Sequence, residues 1–219
     1  MIKRLLPAAI LIMGLLYIFL LHSMVFKLIP MVLMLIYAYT LKPAVHRRYA
    51  LLIGTGLFFC MLGDGLLHWF LIGLSAFLIG HLFYLSAFIT RWTFSAVRMA
   101  ALIPLCGFAA FMGWRLYEGL QSGGQANMIA PVFLYLTVIT AMGFFAVMSR
   151  DFSASFGAML FIASDSILAW NKFISDVPHS GILIMTTYYA AQFLIASSIK
   201  RGGSGLQTDN ESSPGLQAP

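Results

Sequence analysis

Two aspartates stand within hydrophobic stretches of the chain, Asp64 in MLGDGLLHWF and Asp165 in FIASDSILAWNKF. Each begins the same pattern of Asp, a small residue, Leu or Ile, Leu, any residue and Trp. Placing a carboxylate near the middle of a transmembrane helix costs roughly 2.5–3.5 kcal/mol, so an acid in such a position is first a candidate functional group. Two acids in matching frames could share the roles of proton donor and proton acceptor around one reacting group.

Other polar groups fall near these acids if the stretches are helical. His68 follows Asp64 by four residues and Lys172 follows Asp165 by seven, so each basic group would share a helix face with its acid. Lys27 begins another hydrophobic stretch and belongs to the same end. We expect these groups to line one cavity with polar side chains from two further stretches: His81, Tyr84, Tyr188, Tyr189 and Gln192.

Each candidate also has a structural alternative. An Asp within a span can pair with Lys or Arg and only fix helix packing. His81 can hydrogen-bond a neighbouring helix, and the tyrosines can anchor at the membrane interface or fill the core. Lys172 can snorkel from the end of a span, and Asn171 can cap a helix. The residue types alone leave these alternatives open.

The composition places these residues in a membrane protein. Hydrophobic residues make up 61% of the 219 residues and charged residues 9%, with a mean hydropathy of +0.91. These values are far from those of a soluble domain, so we expect an all-α integral membrane protein. A span needs about 20 apolar residues, or about 17 for a short one. Eight spans fit, at 4–21, 25–41, 49–68, 71–90, 96–115, 127–147, 153–171 and 179–199. No signal-peptide cleavage site follows the first, so we interpret it as a span.

The basic residues predict the orientation of this eight-helix bundle. With eight spans, both termini lie on one side of the membrane. Ten of the 13 basic residues fall on that side, and only Lys27, Arg115 and Lys172 fall on the other. This asymmetry predicts cytoplasmic termini. It also accounts for the net charge of +6 without nucleic-acid binding.

The rest of the sequence gives the domain bounds and shows no pattern that predicts a cofactor or a metal site. Residues 1–200 form the transmembrane domain, and 201–219 is a polar tail that we expect to be disordered. Cys60 and Cys106 fall inside spans and are interpreted as packing residues. No three His, Cys or acidic residues have the spacing of a metal site. Motifs for a serine nucleophile, a zinc protease or a phosphate loop are absent from the sequence.

The two halves of the chain share a weak repeat. At an offset of 101 residues, seven positions are identical, including Pro30 and Pro131, Asp64 and Asp165, and Trp69 and Trp170. We therefore predict a four-plus-four duplication in which the two copies are parallel and related by an axis along the membrane normal. The third and seventh spans would then run in the same direction, with their aspartates at similar depth.

Several segments resemble a known family. The stretches FKLIPM, LGDGLLHWF, GLSAFLIGHLFYLSAF, SDSILAWNKF and MTTYYAAQFLIASS are similar to the lysoplasmalogenase, or YhhN-like, family of eight-span membrane proteins. The resemblance runs from the second span to the end of the eighth. It implies a hydrolase that cleaves the vinyl ether bond of lysoplasmalogens, releasing a fatty aldehyde and glycerophosphocholine or glycerophosphoethanolamine. For a eukaryotic member it implies the endoplasmic reticulum membrane, and for a bacterial one the inner membrane.

That reaction suits a pair of acids. The slow step for a vinyl ether is protonation of carbon, giving an oxocarbenium-like ion that water captures, much as glycosidases use two carboxylates. We expect one of Asp64 and Asp165 to protonate the substrate and the other to stabilise the cation and activate water, with the assignment open. Further residues are expected to bind the substrate: Lys27 and Lys172 at its phosphate, His81, Tyr84, Tyr188 and Gln192 at the ether oxygen or the water, and Asn171 and Tyr189 beside them.

Two other classes of function stay open at this stage. A lysophospholipid transporter or flippase would also carry a duplicated bundle with polar residues at mid-membrane. A non-catalytic lipid-binding protein would use the aspartates for packing alone. Replacing either Asp by Asn should abolish aldehyde release if the chain is the enzyme, and should mainly change stability if it is a binding protein. The expected partners are a lysophospholipid for the enzyme or the transporter and membrane lipids for the binding protein, and the sequence does not predict an oligomeric state.

Overall fold

The computed structural model describes residues 2–41 and 47–201, and this part of the chain is entirely helical apart from its connections. Most of the predicted tail at 201–219 lies outside the described residues, as do Lys42 and Pro43 of one predicted loop. The described ranges hold nine α-helices and one 3-10 turn, Ala126–Met128. The α-helices are α1 Ile2–Phe19, α2 Met24–Thr40, α3 Arg47–Leu66, α4 Phe70–Ile89, α5 Ala96–Met99, α6 Leu102–Ser122, α7 Ile129–Met148, α8 Phe152–Phe173 and α9 Ser180–Arg201.

The helices follow the predicted spans in order. Six segments are long and apolar enough to cross a membrane by length and composition. They are Arg47–Leu66, Phe70–Ile89, Ala96–Ser122, Ala126–Met148, Phe152–Phe173 and Ser180–Lys200. Two shorter apolar helices, Leu5–Phe19 and Met24–Thr40, precede them. These eight apolar segments fit the eight predicted spans and are consistent with a multi-pass membrane protein.

The fifth span differs from its predicted bounds of 96–115. The short helix α5 is separated from α6 by Ala100 and Ala101, and α6 continues to Ser122. Arg115 therefore lies inside α6, where its guanidinium contacts the Glu118 carboxylate at 2.8 Å on the next turn. The helix ends only at Gly123 and Gly124, the latter with φ of +66°.

The bundle is built from two tightly packed helix pairs, α3 with α4 and α8 with α9. Glycines permit the close approach in both pairs. A Cβ added to Gly56 would lie 2.5 Å from the Tyr84 ring, and one added to Gly157 would lie 3.0 Å from the Ala191 carbonyl oxygen. Helix α4 also packs against α7, and α9 packs against α2.

A polar cluster closes one end of the bundle, where α3 begins and α9 ends. The guanidinium of Arg91 lies 3.3 Å from the centroid of the Tyr49 ring and donates to the Ser198 carbonyl at 3.0 Å. The Tyr49 hydroxyl and the Ser198 hydroxyl are 2.7 Å apart. Arg91 also lies 3.8 Å from Asp151, whose carboxylate caps α8 by accepting from the Ala154 amide at 3.0 Å. The candidate site lies towards the opposite end.

Candidate active site

A cavity of about 250 Å³ opens in the half of the bundle that contains the α3–α4 and α8–α9 connections. Its walls come from the last turns of α1, α3 and α8 and the first turns of α2, α4 and α9, with parts of α6 and α7. Both Asp64 and Asp165 line it. The rest of the wall is mainly apolar, including Leu74, Phe77 and Ile139. The structure therefore brings the two predicted acids to one common cavity.

Asp64 lies near the end of α3 and is 2% exposed. Its Oδ1 is 3.1 Å from Nζ of Lys27, in the first turn of α2, and its Oδ2 accepts a hydrogen bond of 2.6 Å from the Tyr188 hydroxyl on α9. Gly63 allows α3 to approach α4 here, since an added Cβ would meet the Phe77 ring at 2.6 Å. A buried carboxylate with a cation and a hydroxyl donor has the partners that an ionised group needs.

Lys27 is fixed by further contacts. Its ammonium also lies 3.5 Å from the backbone carbonyl oxygen of Asp64, and its own backbone carbonyl accepts a hydrogen bond of 2.7 Å from the Tyr189 hydroxyl. Only 11% of its side chain is exposed. Lys27 is thus held against Asp64, and its predicted contact with the substrate phosphate stays a prediction. Tyr189 hydrogen-bonds the backbone of α2 at Lys27 and not the carboxylate of Asp64.

Asp165 has a different environment on α8. The Tyr135 hydroxyl of α7 donates a hydrogen bond to its Oδ2. Within residues 2–41 and 47–201, no Lys, Arg or His lies within ion-pair distance of this carboxyl group. Its flanking serines are occupied, because Ser164 donates to the Ile184 carbonyl at 3.1 Å and Ser166 to the Ile162 carbonyl at 2.6 Å. Of these three neighbouring polar side chains, the Asp165 carboxyl group is therefore the one available to act on a substrate.

Two cavity tyrosines were missed by the sequence analysis, Tyr135 and Tyr17. A tyrosine inside an apolar span needs a partner for its hydroxyl, and that property could have identified Tyr135. The repeat could not, since Met34 occupies the corresponding position at the offset of 101. Tyr17 lies on α1, before the segments that carried the family resemblance.

Three predicted residues lie beside the cavity but do not line it. The Tyr84 hydroxyl donates to Oε1 of Gln192 at 2.6 Å, and both side chains are fully buried. His81 is also fully buried, with Nδ1 2.6 Å from the Phe77 carbonyl oxygen. Its ring packs edge-on against Tyr135, with centroids 5.2 Å apart. These groups support the wall that carries Tyr135, and their predicted contact with substrate stays a prediction.

Lys172 lies at the edge of the cavity. Its side chain is exposed, and its ammonium is 4.5 Å from the centroid of the Phe70 ring and 5.8 Å from that of Phe173, two rings that line the cavity. The adjacent Asn171 accepts a hydrogen bond of 2.9 Å from the Val177 amide and so orders the α8–α9 connection. This is a capping contact of the kind that the sequence left open as an alternative for Asn171.

His68 does not share a helix face with Asp64, contrary to the sequence-based expectation. Helix α3 ends at Leu66, so the four-residue spacing no longer applies. The His68 side chain is exposed, and its ring packs against Trp69 with centroids 5.7 Å apart.

Sequence comparison assigns the family. The YhhN family model matches residues 22–199, which include every polar cavity residue named above except Tyr17. The chain belongs to the YhhN family. The resemblance seen in the sequence is thereby confirmed, and in this YhhN protein the whole of α1 precedes the matched region.

Relatives of this YhhN protein come from mammals and bacteria. It is 32% identical over 190 residues to lysoplasmalogenase TMEM86B of Rattus norvegicus, which covers 85% of this chain and 76% of the relative. It is 35% identical over 160 residues to lysoplasmalogenase TMEM86A of Homo sapiens, covering 65% of this chain and 62% of the relative. A lysoplasmalogenase of Mycobacterium bovis is 30% identical over 133 residues, covering 58% of this chain and 50% of the relative. No solved structure matches the chain.

Proposed function

We propose that this chain is a lysoplasmalogenase, which hydrolyses the vinyl ether bond of a lysoplasmalogen to a fatty aldehyde and glycerophosphocholine or glycerophosphoethanolamine. The names of its mammalian and bacterial relatives support this proposal. The observation that carries it is the position of Asp64 and Asp165 in one largely apolar cavity. Such a cavity suits a substrate with a single hydrocarbon chain whose reactive bond joins that chain to a polar head.

The chemistry needs one acid and one stabilising charge. A proton adds to the second carbon of the alkenyl chain, and the first carbon becomes an oxocarbenium-like centre with the ether oxygen. Water then adds to this first carbon and gives a hemiacetal. The hemiacetal collapses by breaking the bond between this carbon and the glycerol oxygen, so one water is consumed for each aldehyde released. Asp64 and Asp165 supply the two carboxyl groups, in a water-poor site where electrostatic effects are strong.

The substrate head is proposed to lie at the edge of the cavity. Lys172 is an exposed cation there, beside Phe70 and Phe173 of the wall. A phosphate at this position would leave the alkenyl chain directed inward, past Asp165 and Asp64. The polar groups at the wall, including Tyr188 and Tyr135, would hold the carboxyl groups in place.

A parallel duplication and a fixed orientation belong to the same proposal. Gly56 and Gly157, related by the offset of 101, occupy corresponding close crossings in the α3–α4 and α8–α9 pairs. Helix α4 contacts α7 and helix α9 contacts α2, which are corresponding helix pairs if the two halves are related. With the basic residues concentrated on the side of the termini, the termini would be cytoplasmic and the cavity would lie in the opposite half of an endoplasmic reticulum or bacterial inner membrane.

Aldehyde release by the purified full-length chain in lipid nanodiscs tests the function. The substrates are a 1-alkenyl lysophospholipid and its saturated 1-O-alkyl analogue, with the same chain and head group. The proposal expects aldehyde from the alkenyl lipid alone, because the saturated ether has no double bond to protonate. Cleavage of the saturated analogue, or no aldehyde from either lipid, contradicts it. Movement of lysolipid between leaflets without aldehyde release would identify a transporter instead.

A further inference from the structure

The two aspartates have unequal partners although their sequence frames match. Asp64 has an ammonium group at 3.1 Å and a hydroxyl donor at 2.6 Å. Asp165 has a hydroxyl donor, Tyr135, and no cation within ion-pair distance in the described part of the chain. Both carboxyl groups accept a phenol hydrogen bond, so the difference in their polar partners is Lys27. A nearby cation favours the ionised carboxylate, and its absence in an apolar cavity favours the neutral acid.

From this asymmetry we infer that Asp165, positioned by Tyr135, donates the proton to the alkenyl carbon, while Asp64, paired with Lys27, stays anionic and stabilises the oxocarbenium-like ion. The inference rests on the proposed lysoplasmalogenase activity and assigns the roles of its two acids. Tyr135 and Lys27 are positioning residues, because each acts through the carboxyl group that it contacts.

The proton can be followed through one turnover. Asp165 accepts the Tyr135 hydrogen bond at Oδ2, so its transferable proton is carried by Oδ1. The O–H bond breaks as the C–H bond forms at the second alkenyl carbon, and Asp165 becomes a carboxylate. When water adds to the first carbon, its released proton returns to Asp165 and restores the acid. The hydroxyl proton of the hemiacetal ends on the departing glycerol oxygen. Asp64 keeps its charge throughout.

The binding of a cationic probe tests the roles of the two acids without requiring turnover. The probe is a lysophospholipid whose ether oxygen is replaced by a secondary ammonium group, so that its positive charge lies next to the carbon that becomes cationic. Its affinity is measured against that of the neutral 1-O-alkyl lysolipid, with full-length protein in nanodiscs. Analogues of a charged transition state report the groups that stabilise that charge.

The Asn variants of the two acids are expected to differ in probe binding. Asp64→Asn should weaken binding of the cationic probe by at least about tenfold relative to the ether, whereas Asp165→Asn should leave it within about threefold of wild type. Both variants should lose aldehyde release. The reverse pattern, or an equal loss of probe binding in both, overturns the assignment. Thermal unfolding of each variant confirms that the comparison is made on folded protein.

The two phenol donors provide a matched pair. Tyr135→Phe should lower kcat about 10- to 100-fold with KM and probe affinity near the wild-type values, because it disturbs the proton donor alone. Tyr188→Phe should lower kcat and, unlike Tyr135→Phe, should weaken binding of the probe, because it removes a hydrogen-bond donor from Asp64. Tyr37→Phe is the control, since Tyr37 is buried, stacks on Phe193 and does not line the cavity. Loss of probe binding in Tyr135→Phe equal to its loss of kcat overturns the role of Tyr135.

Lys27 is tested by rescue. Lys27→Met should weaken binding of the probe and lower kcat, because Asp64 loses the cation that favours its ionised form. Lys27→Arg should recover part of the affinity and part of kcat, because arginine keeps a positive charge at this position. Probe binding unchanged in Lys27→Met contradicts the inference. Wild-type protein that releases no aldehyde would instead contradict the proposed function. Active wild-type protein with the reverse Asn pattern would overturn the assignment of roles alone.

Discussion

At the scale of single residues, the candidate site depends on contacts between helices that are distant in the sequence. The sequence predicted Asp64 and Asp165 as the important acids because carboxyl groups are unusual in apolar spans. It could not distinguish them, since Lys27 reaches Asp64 from 37 positions away. Tyr135 reaches Asp165 from 30 positions away and has no counterpart in the repeat. Helical spacing predicts neighbours on one helix, and here the decisive partners lie on other helices.

Lys172 offers a residue-scale prediction about substrate binding. Replacing it with Ala should raise KM about 3- to 10-fold with kcat nearly unchanged, because a contact at the substrate phosphate is the same in the ground state and the transition state. Steady-state aldehyde release measures both constants. Lys200→Ala is the matched control, since Lys200 is an exposed lysine near the end of α9, away from the cavity. A lower kcat with unchanged KM would show that Lys172 acts on the reaction step instead.

At the scale of helices, glycine contacts set the distance between α3 and α4. Gly56 faces the Tyr84 ring and the Gly80 carbonyl, whereas nothing lies within 4 Å of a Cβ added to Gly54 on the same helix. Gly56→Ala should therefore destabilise the fold by about 1–3 kcal/mol through overpacking. Gly54→Ala should be neutral or slightly stabilising, because alanine favours helix. Thermal unfolding in detergent measures both, and equal melting temperatures would contradict the close packing described here.

The sequence predicted the helices better than their ends and breaks. Hydrophobic length is a strong indicator in a membrane protein, so eight predicted spans correspond to eight apolar segments. The division of the fifth span at Ala100 and Ala101 was not predicted, although Pro104 could have indicated it, because a proline ring clashes with the carbonyl four residues earlier, here that of Ala100. Helix α6 then continues past the predicted end, with the exposed Arg115–Glu118 pair on its surface. The shape of the cavity could not be predicted, because it depends on the relative positions of eight helices.

At the scale of the whole molecule, the two ends of the bundle differ in construction. The cluster of Arg91, Tyr49, Ser198 and Asp151 closes one end with ion-pair and hydrogen-bond contacts. The other half is opened by the cavity. This difference is consistent with a bundle that is held together at one end and admits a lipid at the other. The proposed orientation places the closed end towards the cytoplasm.

Cysteine labelling tests that orientation. Phe94, between α4 and α5, and Gln125, between α6 and α7, are exposed at opposite ends of the bundle. In sealed vesicles with the cytoplasmic face outward, a membrane-impermeant maleimide should label Phe94→Cys and should label Gln125→Cys only after permeabilisation. The background carries Cys106→Ser because Cys106 is exposed, while Cys60 is buried. Labelling of Gln125→Cys in intact vesicles would reverse the proposed topology.

The central claim is that acid-initiated protonation opens a vinyl ether between Asp64 and Asp165, and isotopes test it most directly. The full-length protein is given 1-alkenyl lysophospholipid in deuterium oxide or in water labelled with oxygen-18, and the aldehyde is trapped as it forms. The account predicts one deuterium on the carbon next to the aldehyde carbon and no oxygen-18 in the glycerophospholipid product. Oxygen-18 in the glycerol hydroxyl, or an aldehyde without deuterium, would contradict it.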